Sequence, residues 1–254
     1  DLCGDLLYNI TRKSRRRKVM YKLIAFDLDG TLTQHRSKLE PYNREVLDKL
    51  AERYKLIMVG AGGCERIYRQ MNEYPIDIIG FYGMQESVMD GGALKIVRSE
   101  FYTVDKEYFE TSMLKIREKY GYNDYVGDNV VFHETGAVTL PLLGGDANIA
   151  DKVAFDPDRK KRAVMYDYVC GLFPDFNVFI GGSSSFDIVK KQFNKYNALT
   201  KYMNEHGLTK NDVMFVGDDF GTGGNDEHVK AGGLNYTVVD NYKNLKDRVA
   251  FLLK

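Results

Sequence analysis

The stretch that most constrains this chain is an apolar run that breaks into two acids and a glycine. Val19-Met20-Tyr21-Lys22-Leu23-Ile24, rich in β-branched and aromatic residues, leads into Ala25-Phe26-Asp27-Leu28-Asp29-Gly30-Thr31-Leu32-Thr33. The pattern predicts a buried strand that runs out into a loop at Asp27. Asp27 and Asp29 are two residues apart, and an extended backbone puts both on one face with Leu28 on the other. Gly30 and Thr31 then turn the chain and offer N–H groups and a hydroxyl to an anion. Two carboxylates held this close repel each other, which favours a divalent cation bound by oxygens, a raised pKa on one acid, or both. Phosphoryl transfer uses such a pair: one aspartate attacks phosphorus, the other shuttles a proton, and a metal neutralises phosphate charge. The plain alternative is a strand-end turn with acids at its tip and no chemistry.

Beyond this loop, helix and strand alternate. Residues 42–54 carry Val46, Leu47, Leu50 and Ala51 at helical spacing, and 55–59 read as a second buried strand, so the sheet is expected to be parallel. Gly60-Ala61-Gly62-Gly63 follow at the same strand end as Asp27, before an expected helix over 65–73. There Gly60 and Ala61 are candidates to present backbone N–H groups to a phosphate. From Glu86 the pattern becomes antiparallel. Residues 87–97 read as a hairpin around an Asp-Gly turn, 106–120 and 158–172 as helices, and 129–133, 137–140, 176–180 and 186–189 as short strands. The chain then returns to the first layer through Lys195, a helix over 196–206 and the strand Val213-Met214-Phe215-Val216, which opens into Gly217-Asp218-Asp219-Phe220-Gly221-Thr222-Gly223-Gly224-Asn225-Asp226. Acids that follow a second buried strand would complete an oxygen-ligand metal site with Asp27, and Lys195 would supply a fixed positive charge. The expected fold is α/β: a Rossmann-like parallel-sheet core over 20–86 and 190–254, with an α+β cap domain inserted at 87–189 to exclude water and choose the substrate.

Composition rules out other classes. Thirty-six basic and thirty-six acidic residues give zero formal net charge, so nothing global draws nucleic acid or a membrane surface. No apolar stretch approaches bilayer length. Cys3, Cys64 and Cys170 are too far apart for a metal-ligand pattern and do not suggest a disulfide framework, which points to a reducing compartment and the cytoplasm. Residues 1–19 contain the basic run from Thr11 to Lys18, read as an upstream extension rather than as a functional arm.

These motifs together resemble the haloacid dehalogenase (HAD) superfamily, in the branch that holds the α-phosphomannomutases and capped sugar phosphatases. The resemblance covers nearly everything from Met20 to Lys254. It rests on Asp27 to Thr33, Val59-Gly60, Gly181-Gly182 with Ser185-Phe186-Asp187, Asn194-Lys195, and Gly217-Asp218 with Gly223-Gly224-Asn225-Asp226. It implies that Asp27 is the nucleophile, Asp29 the general acid and base, and Lys195 the residue that orders the nucleophile. It also implies Mg2+ held by the Asp27 carboxylate, the Asp29 carbonyl and Asp218, with Asp226 beside it, and sugar hydroxyls touched by Ser185 and Asp187.

The likeness fails at informative places. A mutase must grip a second phosphate far from the nucleophile, which calls for cationic groups in the cap. Glu134 stands where the family has an arginine, another is absent near Gly145, and Lys152 stands about where a third would fall. Gly62 replaces a family serine. The expected function is therefore Mg2+-dependent hydrolysis of a small, sugar-like phosphate monoester through an aspartyl-phosphate. A hexose phosphomutase is the alternative, with Lys152, Arg159, Lys160, Lys161 and Arg162 as replacement cations, and a catalytically silent sugar-phosphate-binding module is a third reading. The expected partner is a small phosphorylated metabolite, and a homodimer is left open.

Overall fold

The computed structural model describes residues 21–254, so the basic run, Cys3 and the extension over 1–19 lie outside the described residues. The strands Leu23–Phe26 (β1), Lys55–Val59 (β2) and Asp77–Gly80 (β3) alternate with the helices Pro41–Ala51 (α1) and Cys64–Gln70 (α2). Gln85–Asp90 (β4) and Ala93–Ser99 (β5) follow as a hairpin. Next come Lys106–Tyr120 (α3), Val131–Phe132 (β6), Val138–Pro141 (β7), Ile149–Phe155 (α4), Lys160–Leu172 (α5), Phe176–Phe179 (β8) and Ser185–Lys190 (β9). Lys195–Glu205 (α6), Val213–Gly217 (β10), Glu227–Ala231 (α7), Asn235–Val238 (β11) and Leu245–Arg248 (α8) complete the chain.

A seven-stranded sheet runs in the order β11-β10-β1-β2-β3-β4-β5, and a four-stranded sheet in the order β6-β7-β9-β8. The first is parallel from β11 to β3 and antiparallel at β4 and β5. One boundary of the sequence reading is corrected here. The hairpin over 87–97, expected to begin the cap, extends the edge of the core sheet, because β4 pairs with β3 through Ile78–Ser87 and Gly80–Gln85. An antiparallel pattern marks a change of strand direction, not a change of sheet. Helix α4 was not foreseen, and the helix expected from 158 begins at Lys160.

Both faces of the core sheet are covered. In β1, Ile24 and Phe26 point into a cluster with Val46, Leu47 and Leu50 of α1 and Ile67 of α2, while Leu23 and Ala25 point the other way, toward Ala198, Leu199 and Met203 of α6. This period-2 split of an all-apolar strand is what a doubly covered parallel sheet requires. The cap core gathers Phe109, Met113 and Ile116 of α3 and Met165 and Val169 of α5 over Leu140, Phe186 and Ile188. Helix α3 is fixed at both ends: Asp105 accepts the Tyr108 N–H at 3.1 Å, and Gly121 closes it in the left-handed conformation at φ 76°. A smaller cluster of Tyr82, Met84, Ala137, Phe179, Val189 and Phe193 joins the two layers.

Candidate active site

Strand register brings the acids to one edge. β1 lies between β2 and β10, with Phe26 opposite both Met58 and Val216, so the loops after all three strands open together. The Asp27 N–H donates to Val216 O at 2.9 Å, which ties the first loop to the third. Chain order reverses direction across the sheet at β1, the place where open α/β sheets bind ligands.

Four charged groups meet there. One carboxylate oxygen from each of Asp27, Asp218 and Asp226 lies within 4.8 Å of the others. Lys195, the first residue of α6, is fully buried and donates to Asp27 Oδ1 at 2.5 Å, Asp226 Oδ1 at 2.6 Å and Asn225 Oδ1 at 2.7 Å. Its place is set by Asn194, whose side chain caps α6 by accepting the Asn197 N–H at 2.8 Å. Asp226 Oδ2 accepts the N–H groups of Asp218 and Asp219 at 3.2 and 3.1 Å. Burial pushes the Asp27 carboxyl up to about 8, with Lys195 acting against it and Asp226 and Asp218 adding to it. Burial and then Asp226 push Asp218 up to about 6. Burial alone would lower the Lys195 ammonium, but Asp226 and Asp27 outweigh it and hold it above the ordinary lysine value. Three carboxylates and one ammonium leave two negative charges in a place with little water, so this donor set fits a hard divalent cation.

Gly30 makes the closure possible. Its φ is +95°, and a Cβ there would lie 2.3 Å from Asp218 Oδ2, so a side chain would push the first and third loops apart. Thr31 completes that contact by donating its hydroxyl to Asp218 Oδ1 at 3.1 Å.

Two expectations are corrected by the geometry. The Asp29 carboxylate is not part of the acid cluster. Its Oδ1 accepts Gln70 Nε2 at 2.6 Å and the Arg36 N–H at 2.9 Å, and Arg66 lies 3.7 Å from Oδ2. A strictly extended chain would have placed it beside Asp27, but the backbone turns from Leu28, whose carbonyl accepts the N–H groups of Thr31, Leu32 and Thr33. Of the four expected phosphate donors, Gly30, Thr31, Gly60 and Ala61, Ala61 keeps its N–H without a backbone acceptor among the described residues and the other three do not. The N–H groups of Gly30, Thr31 and Gly60 donate to Thr33, Leu28 and Ile79 carbonyls, so they hold loops in place. Among the described residues, those of Leu28, Asp29 and Ala61 have no such acceptor, and all three residues line a cavity of about 250 Å3 over Asp27.

That cavity shares Asp29, Ala61, Arg66, Gly182 and Ser183 with a larger one of about 840 Å3 between core and cap, so Asp29 sits at their junction. Ser185 and Asp187 line the large cavity as expected. Ser185 Oγ donates to Gly181 O at 3.1 Å, and Asp187 accepts Thr139 Oγ1 and Tyr82 OH, both at 3.0 Å. The cap wall also carries His133 and Glu134 but no lysine or arginine. Of the proposed replacement cations, Lys152 donates to Gly145 O at 2.7 Å, Lys160 pairs with Asp158, and Lys161 lies over the Phe155 ring. Arg159 and Arg162 line the small cavity, the first paired with Asp219 and the second with Asp156. The positive charge of the large cavity comes from the core side, in Arg36, Lys38, Arg66 and Arg69. Sequence reasoning did not single these out, nor Gln70, Tyr82 and Asn225. Only Asn225 carried a signal, as the neighbour of Asp226 in a glycine-rich loop.

Known proteins agree with this architecture. Over 235 residues the chain is 24% identical to the phosphomannomutase of Schizosaccharomyces pombe, covering 84% of this chain and 86% of the relative. Human phosphomannomutase 1 is 24% identical over 240 residues, covering 87% of each. Among solved structures, the IMP-bound IMP-nucleotidase of Plasmodium falciparum superposes with a TM-score of 0.65 at 14% identity, over 92% of this chain and 68% of that one. A haloalkanoate-superfamily phosphatase of Bacteroides thetaiotaomicron gives 0.58 at 16% identity, over 93% and 97%. A family model for haloacid dehalogenase-like hydrolases matches residues 94–226, more than half of the chain, and with that match the chain belongs to the haloacid dehalogenase-like hydrolase family.

Proposed function

We propose that this protein is a Mg2+-dependent phosphatase of a small, sugar-type phosphate monoester that works through an aspartyl-phosphate on Asp27. The observation that carries the reading is the fully buried Lys195, bonded at once to Asp27 and Asp226 and set beside Asp218. The Asp27 and Asp218 carboxylates, with the Asp29 carbonyl and Asp226 beside them, would hold the ion. When bound it withdraws charge from the phosphoryl oxygens and keeps Asp27 ionised. Lys195 fixes Asp27 Oδ1 and leaves Oδ2 to attack phosphorus. The bond from phosphorus to the ester oxygen breaks as the one to Asp27 forms. Asp29, at the junction of the two cavities, gives its proton to the departing alcohol. It then takes a proton from water, whose oxygen bonds to phosphorus as the bond to Asp27 breaks. Leu28, Asp29 and Ala61 offer their N–H groups to the phosphoryl oxygens.

A second reading, a hexose phosphomutase, is favoured by the phosphomannomutase relatives and by the core cations of the large cavity. Against it stands a cap wall that carries Glu134 and Asp187 and neither lysine nor arginine. The test is steady-state turnover of mannose 1-phosphate with Mg2+, with and without catalytic glucose 1,6-bisphosphate. Phosphate released without the activator supports the phosphatase. Mannose 6-phosphate formed only with the activator overturns it in favour of the mutase.

A further inference from the structure

The segment that follows β3 is strained at two successive aromatic residues. Phe81 and Tyr82 have φ of 46° and 57°, a region that bulky side chains seldom occupy and that persists where surrounding contacts enforce it. Those contacts are visible. The Tyr82 ring stacks on Phe179 of the cap at 4.6 Å between centroids, and its hydroxyl donates to Asp187. With Tyr82 anchored, Phe81 beside it is held in the wall of the large cavity. Its ring lies over Gly63, where a Cβ would come within 2.8 Å of it, and it meets the His133 ring of the cap at 5.4 Å. The same Gly63 position lies 3.5 Å from Gln85 Oε1, so the Gln85 amide is beside the Phe81 ring.

Gln85 is 9% exposed and lines the cavity. Its carbonyl oxygen accepts the Cys64 N–H at 2.9 Å, which fixes the orientation of the amide and leaves the Nε2 hydrogens without an acceptor among the described residues. That donor is free to meet an acceptor on a ligand that occupies the cavity. An aromatic face with a flanking amide donor suits a flat ring that carries a carbonyl or ring-nitrogen acceptor. Hexoses are neither flat nor aromatic.

We propose that Phe81 and Gln85 form a platform for a nucleobase, and that the substrate class is nucleoside 5′-monophosphates. The inference rests on the phosphatase reading and specifies what the large cavity holds. The phosphate enters the small cavity at Asp27, the ribose passes the Asp29 junction toward Ser185 and Asp187, and the base lies on the cavity side of Phe81. The base does not enter between Phe81 and His133, which touch each other.

The test compares inosine 5′-monophosphate, whose base has a carbonyl acceptor, with ribose 5-phosphate, which lacks the base. Steady-state kcat/KM is measured for both with Mg2+, and Kd for both is measured by titration calorimetry on the Asp27→Asn protein. Base stacking on one aromatic ring supports a preference of about tenfold for the nucleotide. Phe81→Leu should shrink that preference to about threefold or less, and Phe81→Tyr, which keeps the ring, should retain it. Equal values for the two esters in the parent protein overturn the platform, as does a preference that Phe81→Leu leaves intact. If neither ester is hydrolysed, the phosphatase reading fails, and the ratio of Kd values alone decides the platform.

Discussion

Arg162 links the cap helix α5 to the loop that lines both cavities, and its removal should be felt throughout the protein. The side chain is 1% exposed and Asp156 is 2% exposed. Arg162 Nε meets Asp156 Oδ2 at 2.9 Å, and its Nη1 donates to the carbonyls of Gly181, Gly182 and Ser185 at 2.7, 3.1 and 3.1 Å. Arg162→Met keeps much of the volume but removes the cation beside a buried carboxylate and the guanidinium donor to three peptide carbonyls, of which Gly181 O keeps the Ser185 hydroxyl. Breaking a buried pair from one side costs about 3–5 kcal/mol. Asp156 still accepts the N–H groups of Lys161 and residue 162, which moves the charge penalty to the lower end, while the lost carbonyl partners move the total back up. We expect a loss of about 4 kcal/mol. For a chain of this length about 1 kcal/mol corresponds to roughly 2–4 °C, so Tm should fall by about 8–16 °C. Arg162→Met with Asp156→Asn removes the stranded charge and should recover about 1–3 kcal/mol of the loss. Urea unfolding followed by far-UV circular dichroism, paired with thermal melts, measures both. A single variant within about 1 kcal/mol of the parent, or a double variant no more stable than the single one, would refute the argument that this buried pair supports the site loop.

Asp27→Asn should abolish turnover, by more than about 10³-fold, while the melt stays cooperative; appreciable residual activity would put the nucleophile elsewhere. Chelation of divalent ions should abolish phosphate release and Mg2+ should restore it, and activity that survives dialysis against a chelator would contradict the oxygen-ligand site. Glu134→Arg reverses a charge on the cap wall and should tighten binding of a hexose bisphosphate by roughly tenfold in a competition assay; no change would place Glu134 outside the ligand's reach. Asp105→Ala removes the cap of α3 and should cost about 1 kcal/mol in urea unfolding.

Much of the fold was legible because its signals are local. The spacing of Phe109, Met113 and Ile116 gave α3 to the residue, and the all-apolar run after Lys55 gave β2. The hairpin over 87–97 was legible as a hairpin but not as part of the core. Its membership is decided by hydrogen bonds between β3 and β4, which alternation along one strand does not encode. The same limit hid α4. Its seven residues gain their stability from contacts with the rest of the cap, and a helix that short leaves little periodicity to read.

The acids of the site were legible for a different reason. Charge directly after a buried strand is costly unless it has a partner, so Asp27, Asp218 and Asp226 announced one another from opposite ends of the chain. Lys195 was readable by the same logic, since such a cluster needs a fixed cation. Phe81 and Tyr82 gave no such notice. In the sequence they follow β3 as two more apolar residues, and alternation would place them on opposite faces of a strand. What makes them a wall of the cavity is a backbone conformation that neither residue favours. That conformation is held by Phe179 and Asp187, which lie about a hundred residues away in the chain, in the cap. Chemistry that rests on charge leaves a mark in composition and spacing, because unpaired charge is never free of consequence. Recognition that rests on the aim of an aromatic ring is set by tertiary contacts. On the function proposed above, the catalytic step is written in the acids and the choice of substrate in the packing between Tyr82 and the cap. A substitution at Phe179 should therefore alter which ester is preferred before it alters how fast phosphate leaves Asp27.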